Sequence, residues 1–198
     1  MIAYLTGKFV EINPAYIIVE TSGGVAYTVH IPISTYSQVK ALETGKLLTH
    51  FHVKEDAQTL YGFYTESERA AFRYLISVNG IGPNTALLFL SSLSITEIQH
   101  AILTNNVVLL QSVKGVGNKT AQRVVIELKD KIGKLDADVS FDKKTDGYHN
   151  NNKNEALSAL LSLGFAKNSA EKVLDKIVNG KGNDLSVEEL IKKALKLL

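Results

Sequence analysis

The feature that most constrains this chain is a duplication. Residues 77–90 read SVNGIGPNTALLFL, and residues 112–125 read SVKGVGNKTAQRVV. Ser, Val, Gly, Gly, Thr and Ala coincide, and Ile81 faces Val116. In each copy two glycines stand one residue apart and a helix-like run follows at once. Glycines so spaced let the backbone turn with φ values that other residues resist. The first amides of a helix lack internal partners and sit at the positive end of its dipole. Each copy therefore builds an anion site, and phosphate suits it. Gly80, Gly82, Gly115 and Gly117 leave room for close approach, with the backbone of Ile81, Asn84, Val116 and Asn118 around them. Thr85 and Thr120 add hydroxyls, and Lys119 and Arg123 add charge.

Other uses of such a loop are open. GxG before a helix could belong to a dinucleotide fingerprint, but the third glycine is missing and the preceding residues look helical rather than strand-like. GxxxxGK, the phosphate loop of nucleotide hydrolases, is absent. A single copy could be a plain helix–turn–helix corner in which glycine permits tight packing. Two matched copies argue for a grip on two phosphates of a duplex, which reads no base and predicts sequence-independent binding.

Charge is placed to match. The chain has 198 residues and a net charge of only +2, which is not the overall footprint of a nucleic-acid binder. Residues 64–135, however, hold eight basic and five acidic groups, whereas residues 1–63 hold four and five. There is no cysteine, which excludes disulfides, thiol catalysis and cysteine-bound zinc and fits a reducing cytoplasm. The opening MIAYLTGKFVEI does not read as a signal peptide, and no run of eighteen apolar residues predicts a membrane span.

The coarse organisation is a multidomain α+β chain. Val25–Ile31 alternates with period two after Gly23-Gly24, which reads as a hairpin turn, and Ile17–Val19 and Leu47–Phe51 are further strand candidates. Residues 1–63 thus suggest a small barrel or sandwich. From residue 64 the pattern is helical. Thr65 with Glu68 and Ser94 with Glu97 are capping boxes, and Ala121, Val124, Val125, Leu128 and Ile132 line one helix face. Residues 136–154 lack periodicity and read as a flexible linker. Helices around 155–163, 169–179 and 187–197 would form a three-helix mini-domain over 155–198, with Ser186 and Glu189 capping the last.

The paired loops resemble tandem helix–hairpin–helix motifs. Together with HFHVKEDAQTLYGF over residues 50–63 and the opening MIAYLTGKFVE, they make the whole chain resemble the RuvA family of Holliday-junction branch-migration subunits. The resemblance implies an oligonucleotide/oligosaccharide-binding-like barrel, a double-hairpin DNA-binding domain and a tethered three-helix domain similar to the ubiquitin-associated type. It implies a non-catalytic subunit without cofactor or metal, acting as a tetramer or double tetramer on four-way junction DNA. A RuvB-type AAA+ ATPase ring is the implied motor, and the junction resolvase RuvC a further partner. Glu55 and Asp56 match the family's acidic pin at the junction centre, and Lys54 beside them joins the phosphate contacts. Two unit charges about 6 Å apart in water repel by roughly 0.7 kcal/mol, so eight such carboxylates at one point would steer phosphates aside.

The residues alone leave Lys54-Glu55-Asp56 open as an ordinary solvated turn, or as part of a metal site with His50 and His52. The departures are Asn84 and Asn118, where family members often carry lysine. Leu157, Leu161, Ile191 and Leu195 are the candidate motor contacts. The competing class is a helix–hairpin–helix repair enzyme, a glycosylase or nuclease, for which Asp130, Asp136 or Asp138 would supply the carboxylate. A passive scaffold without junction preference is the third option.

Overall fold

The computed structural model describes residues 2–132, 148–179 and 185–198, which fall into two units divided near Lys143. The first unit opens with five strands: β1 (Tyr4–Asn13), β2 (Tyr16–Glu20), β3 (Ala26–His30), β4 (Thr44–Val53) and β5 (Gln58–Phe63). They close in the order β1-β2-β3-β5-β4. All pairings are antiparallel except β3 with β5, where Val29 lies opposite Leu60. Closure removes the free edges that a short sheet would otherwise expose. The expected barrel is thus the observed one. Its core follows the strand period, with Ile17 and Val19 of β2 and Val29 of β3 wholly buried alongside Leu47 and Phe9. Gly23 and Gly24 make the β2–β3 turn, where the Gly24 amide donates to the Thr21 carbonyl (2.9 Å). One element escapes the periodicity argument: a helix, α1 (Ile33–Val39), fills the gap between β3 and β4.

Five helices follow: α2 (Glu66–Ile76), α3 (Pro83–Ser92), α4 (Ile95–Leu103), α5 (Val107–Gln111) and α6 (Asn118–Ile132). The capping boxes at Thr65 and Ser94 both form, each with the side chain of the third helical residue returning to the cap amide. Ala121, Val124, Val125, Leu128 and Ile132 all turn inward. They join Phe72, Phe89, Ile98, Ile102 and Leu110 in one core. Fully burying a phenylalanine, leucine or isoleucine contributes about 1.5–3 kcal/mol, so this shared core, rather than helix propensity, holds the short α5 in place.

The core does not stop at the barrel wall. Tyr61 and Phe63 of β5 pack on Phe72 of α2, with ring centroids 5.1 and 4.9 Å apart, and His50 of β4 lies 5.3 Å from the same ring. Arg69 donates to the Ala3 carbonyl (2.8 Å), and Ser91 accepts from the Ile33 amide (3.1 Å).

The second unit holds three helices: α7 (Tyr148–Ser162), α8 (Lys167–Asn179) and α9 (Val187–Ala194). Ala156, Leu160, Ala170, Leu174, Leu190 and Ala194 form its core. The capping box of Ser186 and Glu189 opens α9. Gly164, at φ +93°, ends α7: the Phe165 amide reaches back to Leu160 O (3.1 Å) and the Gly164 amide to Leu161 O (3.0 Å). This is the doubly bonded left-handed cap that glycine favours. The linker expected over 136–154 lies outside the described residues as far as Gly147. Its last seven positions, however, are helical, so the mini-domain's first helix begins at Tyr148 and not near 155. Tertiary contacts outweigh the poor helix propensity of this asparagine-rich run. Asn152 donates to Leu185 O (3.1 Å), and Lys153 pairs with Asp175.

Candidate nucleic-acid interface

Each repeated segment joins two helices, α2 to α3 and α5 to α6. The coinciding residues split into two sets. Val78, Ile81 and Ala86 of the first copy are buried, as are Val113, Val116 and Ala121 of the second. They pin the turn to the core. The backbone closes alike in both: Ile81 N donates to Val78 O (3.0 Å) and Val116 N to Val113 O (3.1 Å). One step further, Ala86 N donates to Gly82 O (3.0 Å) and Ala121 N to Gly117 O (2.9 Å). The glycines, together with Asn84, Asn118 and Lys119, are exposed, while Thr85 and Thr120 are half-buried beside them.

The four glycines serve two purposes. Gly80 and Gly115 have φ of +95° and +87°, the left-handed region that a side chain resists. Gly82 does not: its φ of −87° and ψ of 170° suit any residue. A Cβ at Gly82 or Gly117 would meet no atom within 4 Å, whereas one at Gly62 inside the barrel would lie 2.5 Å from Val29. Nothing within the described chain requires glycine at 82 or 117. The open space lies at the start of α3 and of α6, where the first helical amides lack partners within the helix; α3 has one fewer, because Pro83 carries no N–H.

Arg123 takes a place that its sequence position did not suggest. Its guanidinium donates to the Asn79 carbonyl in the first loop (3.0 Å) and lies 3.8 Å from Glu127. It ties the helix of the second hairpin to the turn of the first. Four of its five N–H donors remain for other partners by simple count.

Lys54, Glu55 and Asp56 stand apart from these loops, at the exposed tip of the β4–β5 hairpin. The Lys54 amide closes the turn on Ala57 O (2.8 Å). Neither carboxylate forms an ion pair among the described residues. His50 and His52 do share a strand face, with ring centroids 6.2 Å apart. Their neighbours are Phe72 and Tyr61 rather than carboxylates. Among the described residues no group of three or more metal-ligating side chains converges. Burial holds His50 below its ordinary range, and Arg73, His52 and Arg69 push it the same way.

For the enzyme alternative, Asp130 is exposed on α6, and Asp136 and Asp138 lie outside the described residues. A cleft of about 1110 Å³ runs between the barrel and α2, lined by residues such as Phe9, Leu42 and Tyr74, but neither hairpin loop contributes to it. In the second unit, the four candidate motor contacts divide. Leu161 and Leu195 are exposed, while Leu157 and Ile191 pack partly into the three-helix core. Leu163 and Leu197 are more exposed than any of these, at 62% and 63%, which a leucine's place in an apolar helix pattern does not reveal.

Comparison with known proteins agrees with this layout. The family profile described as the RuvA N terminal domain matches residues 1–62. A SAM-like helix-hairpin-helix tandem matches 72–130, and the RuvA C-terminal domain matches 151–198. A protein of Cytophaga hutchinsonii named Holliday junction branch migration complex subunit RuvA is 46% identical over the full length of both chains. Proteins of the same name from Christiangramia forsetii and Delftia acidovorans are 46% and 44% identical, over at least 99% of each chain. Similarity this high, running from end to end through the barrel, both hairpins and the three-helix unit, makes the chain a member of the RuvA family.

Proposed function

We propose that this protein is the non-catalytic DNA-binding subunit of a branch-migration complex and that it holds four-way junctions open. The observation that carries the reading is the pair of matched loops, each presenting an unobstructed glycine at a helix start. Backbone amides there bind phosphate by geometry and dipole, without reading bases. Gly80, Ile81, Gly82, Asn84 and Thr85 form one grip. Gly115, Val116, Gly117, Asn118, Lys119 and Thr120 form the other, with Arg123 bracing the two and Lys54 reaching a further phosphate.

Glu55 and Asp56 act as the pin. Their exposure at a hairpin tip, without an ion pair among the described residues, supports that role, because carboxylates neutralised within the chain could not repel DNA. Four copies in a homotetramer, or eight in a double tetramer, would gather these tips at the crossover and admit the splayed strands of a junction rather than a continuous duplex. The second unit docks a RuvB-type AAA+ ATPase ring through Leu161, Leu195 and the neighbouring exposed leucines, and RuvC resolvase is a further partner on the junction. ATP hydrolysis belongs to the ring. A cytoplasmic site fits a chain without cysteine that works on bacterial DNA.

The test is a titration of the parent and of the Glu55→Gln/Asp56→Asn double variant against a synthetic four-way junction and a linear duplex at one salt concentration. The parent should prefer the junction. The variant should bind both at least as tightly and gain more on duplex, so that its preference shrinks. A parent that treats both DNAs alike would leave a passive scaffold, and an unchanged preference in the variant would remove the pin.

A further inference from the structure

The capping box at Thr65 does more than start a helix. Glu68 is 7% exposed and forms no ion pair among the described residues. Its Oε2 accepts from Thr35 Oγ1 (3.0 Å), from the Tyr64 amide (3.0 Å) and from the Thr65 amide (3.1 Å). Its Oε1 accepts from Ser34 Oγ. A helix cap needs only the Thr65 amide. The other three donors come from α1 and from the end of β5, so one carboxylate ties two barrel elements to the first turn of α2. An uncompensated buried charge is costly unless its oxygens are saturated in this way.

The joint lies on the only stretch of backbone between the two proposed DNA-facing features. The β4–β5 hairpin carries Glu55 and Asp56 at its tip, and β5 runs through Tyr64 and Thr65 into α2, whose far end opens the first glycine loop. From Glu68 to Ile76 the helix runs about 12 Å, so a 10° swing at Glu68 would displace its far end by about 2 Å. That is enough to break a hydrogen bond at a phosphate.

The structure assigns Glu68 as a positioning residue: through Ser34, Thr35, Tyr64 and Thr65 it fixes the barrel-borne acidic tip relative to the hairpins, and thereby sets the preference for junction over duplex. The assignment rests on the junction-binding reading above. It predicts a loss of selectivity, because a displaced tip no longer turns duplex away while the hairpin loops still present their amides to duplex phosphates.

Glu68→Ala and Glu68→Gln are to be compared with the parent on four-way junction and linear duplex, with thermal melting alongside. Glu68→Ala should lower the ratio of junction to duplex affinity at least tenfold. Glu68→Gln should restore the preference. Its carbonyl oxygen can take the three donors now on Oε2, and the Ser34 hydroxyl can turn to accept from the new amide. Should Glu68→Ala fail to fold, Ser34→Ala, which removes one of the four hydrogen bonds, should show the same selective loss on a smaller scale. An unchanged ratio, whether by equal losses on both DNAs or by no change on either, or a glutamine variant as unselective as the alanine one, would overturn the assignment. A parent without junction preference would instead overturn the functional reading, and this inference with it.

Discussion

Between Ser77 and Ser92 the first hairpin and its helix hold no lysine or arginine, whereas between Ser112 and Arg123 the second holds Lys114, Lys119 and Arg123. The buried residues of the two turns match, their left-handed glycines differ by 8° in φ, and the hydrogen bonds from Ile81 and Val116 and from Ala86 and Ala121 agree within 0.1 Å. Geometry has been duplicated and charge has not. Their mounts differ as well. The first hairpin enters through α2, which is fixed to the barrel at Phe72 and Glu68, while the second enters through the five-residue α5 and leaves along the fifteen-residue α6. On the proposed reading, the shared part is what a phosphate needs in order to approach, and the unshared part sets how strongly salt competes with it.

The largest effect should come from closing that approach. Gly82→Val and Gly117→Val each place a branched side chain in space that is otherwise open, at a backbone conformation outside the left-handed region. Either variant should fold, because glycine at a helix start exceeds an apolar residue by only about 1 kcal/mol. Each should weaken junction binding tenfold or more, about 1.4 kcal/mol at least. Gly82→Val should be the worse of the two, since the first hairpin's own residues carry no cationic side chain. Wild-type affinity for both variants in a junction titration would mean that phosphate does not approach these glycines.

A smaller and more diagnostic effect concerns salt. Each phosphate neutralised by a cationic side chain adds about 0.9 to the slope of log affinity against log salt. Lys119→Gln should lower that slope by about one, and Asn84→Lys should raise it by about one, giving the first hairpin the charge that it lacks. Measuring affinity at four or five salt concentrations decides the matter. A slope that ignores both substitutions would place Lys119 and Asn84 away from the DNA.

The parts of this arrangement that could be read from sequence are the local ones. The three capping boxes are four-residue patterns, and all three form. The apolar face of α6 repeats at helical spacing, and every member is buried. What stayed illegible depends on residues far apart in the chain. Glu68 announces itself as the partner of Thr65, but its bonds to Ser34 and Thr35 span more than thirty positions. Arg123 reads as spare positive charge until the Asn79 carbonyl, 44 residues away, is placed against it. The start of α7 reads as a loop because asparagine is a poor helix former, and the contacts that support the helix, from Asn152 and Lys153 to Leu185 and Asp175, reach more than twenty residues along the chain. The seven-residue α1 is too short for periodicity to reveal between two strands.

The smallest expected effect separates the two mounts by pH. His50 packs against Phe72 on α2, with His52 and Tyr61 on the same side and Arg69 and Arg73 nearby. Burial, first, and then the neighbouring cations lower its pKa below the ordinary 6.5. The unfolded chain therefore binds a proton at a higher pH than the folded one. Stability is complete above about 6.5 and declines as the pH falls through and below that value. The strain should fall on α2 and the first hairpin, because His50 touches that helix, while α6 has no such contact. Amide exchange followed from pH 7.5 to 5.5, corrected for its intrinsic pH dependence, should show protection of α2 falling ahead of α6. His50→Phe keeps a ring against Phe72 and removes the titration, so it should abolish the difference. If α2 and α6 lose protection together, or if the phenylalanine variant behaves like the parent, the pH response does not arise at this contact and the two hairpins are mounted with equal security.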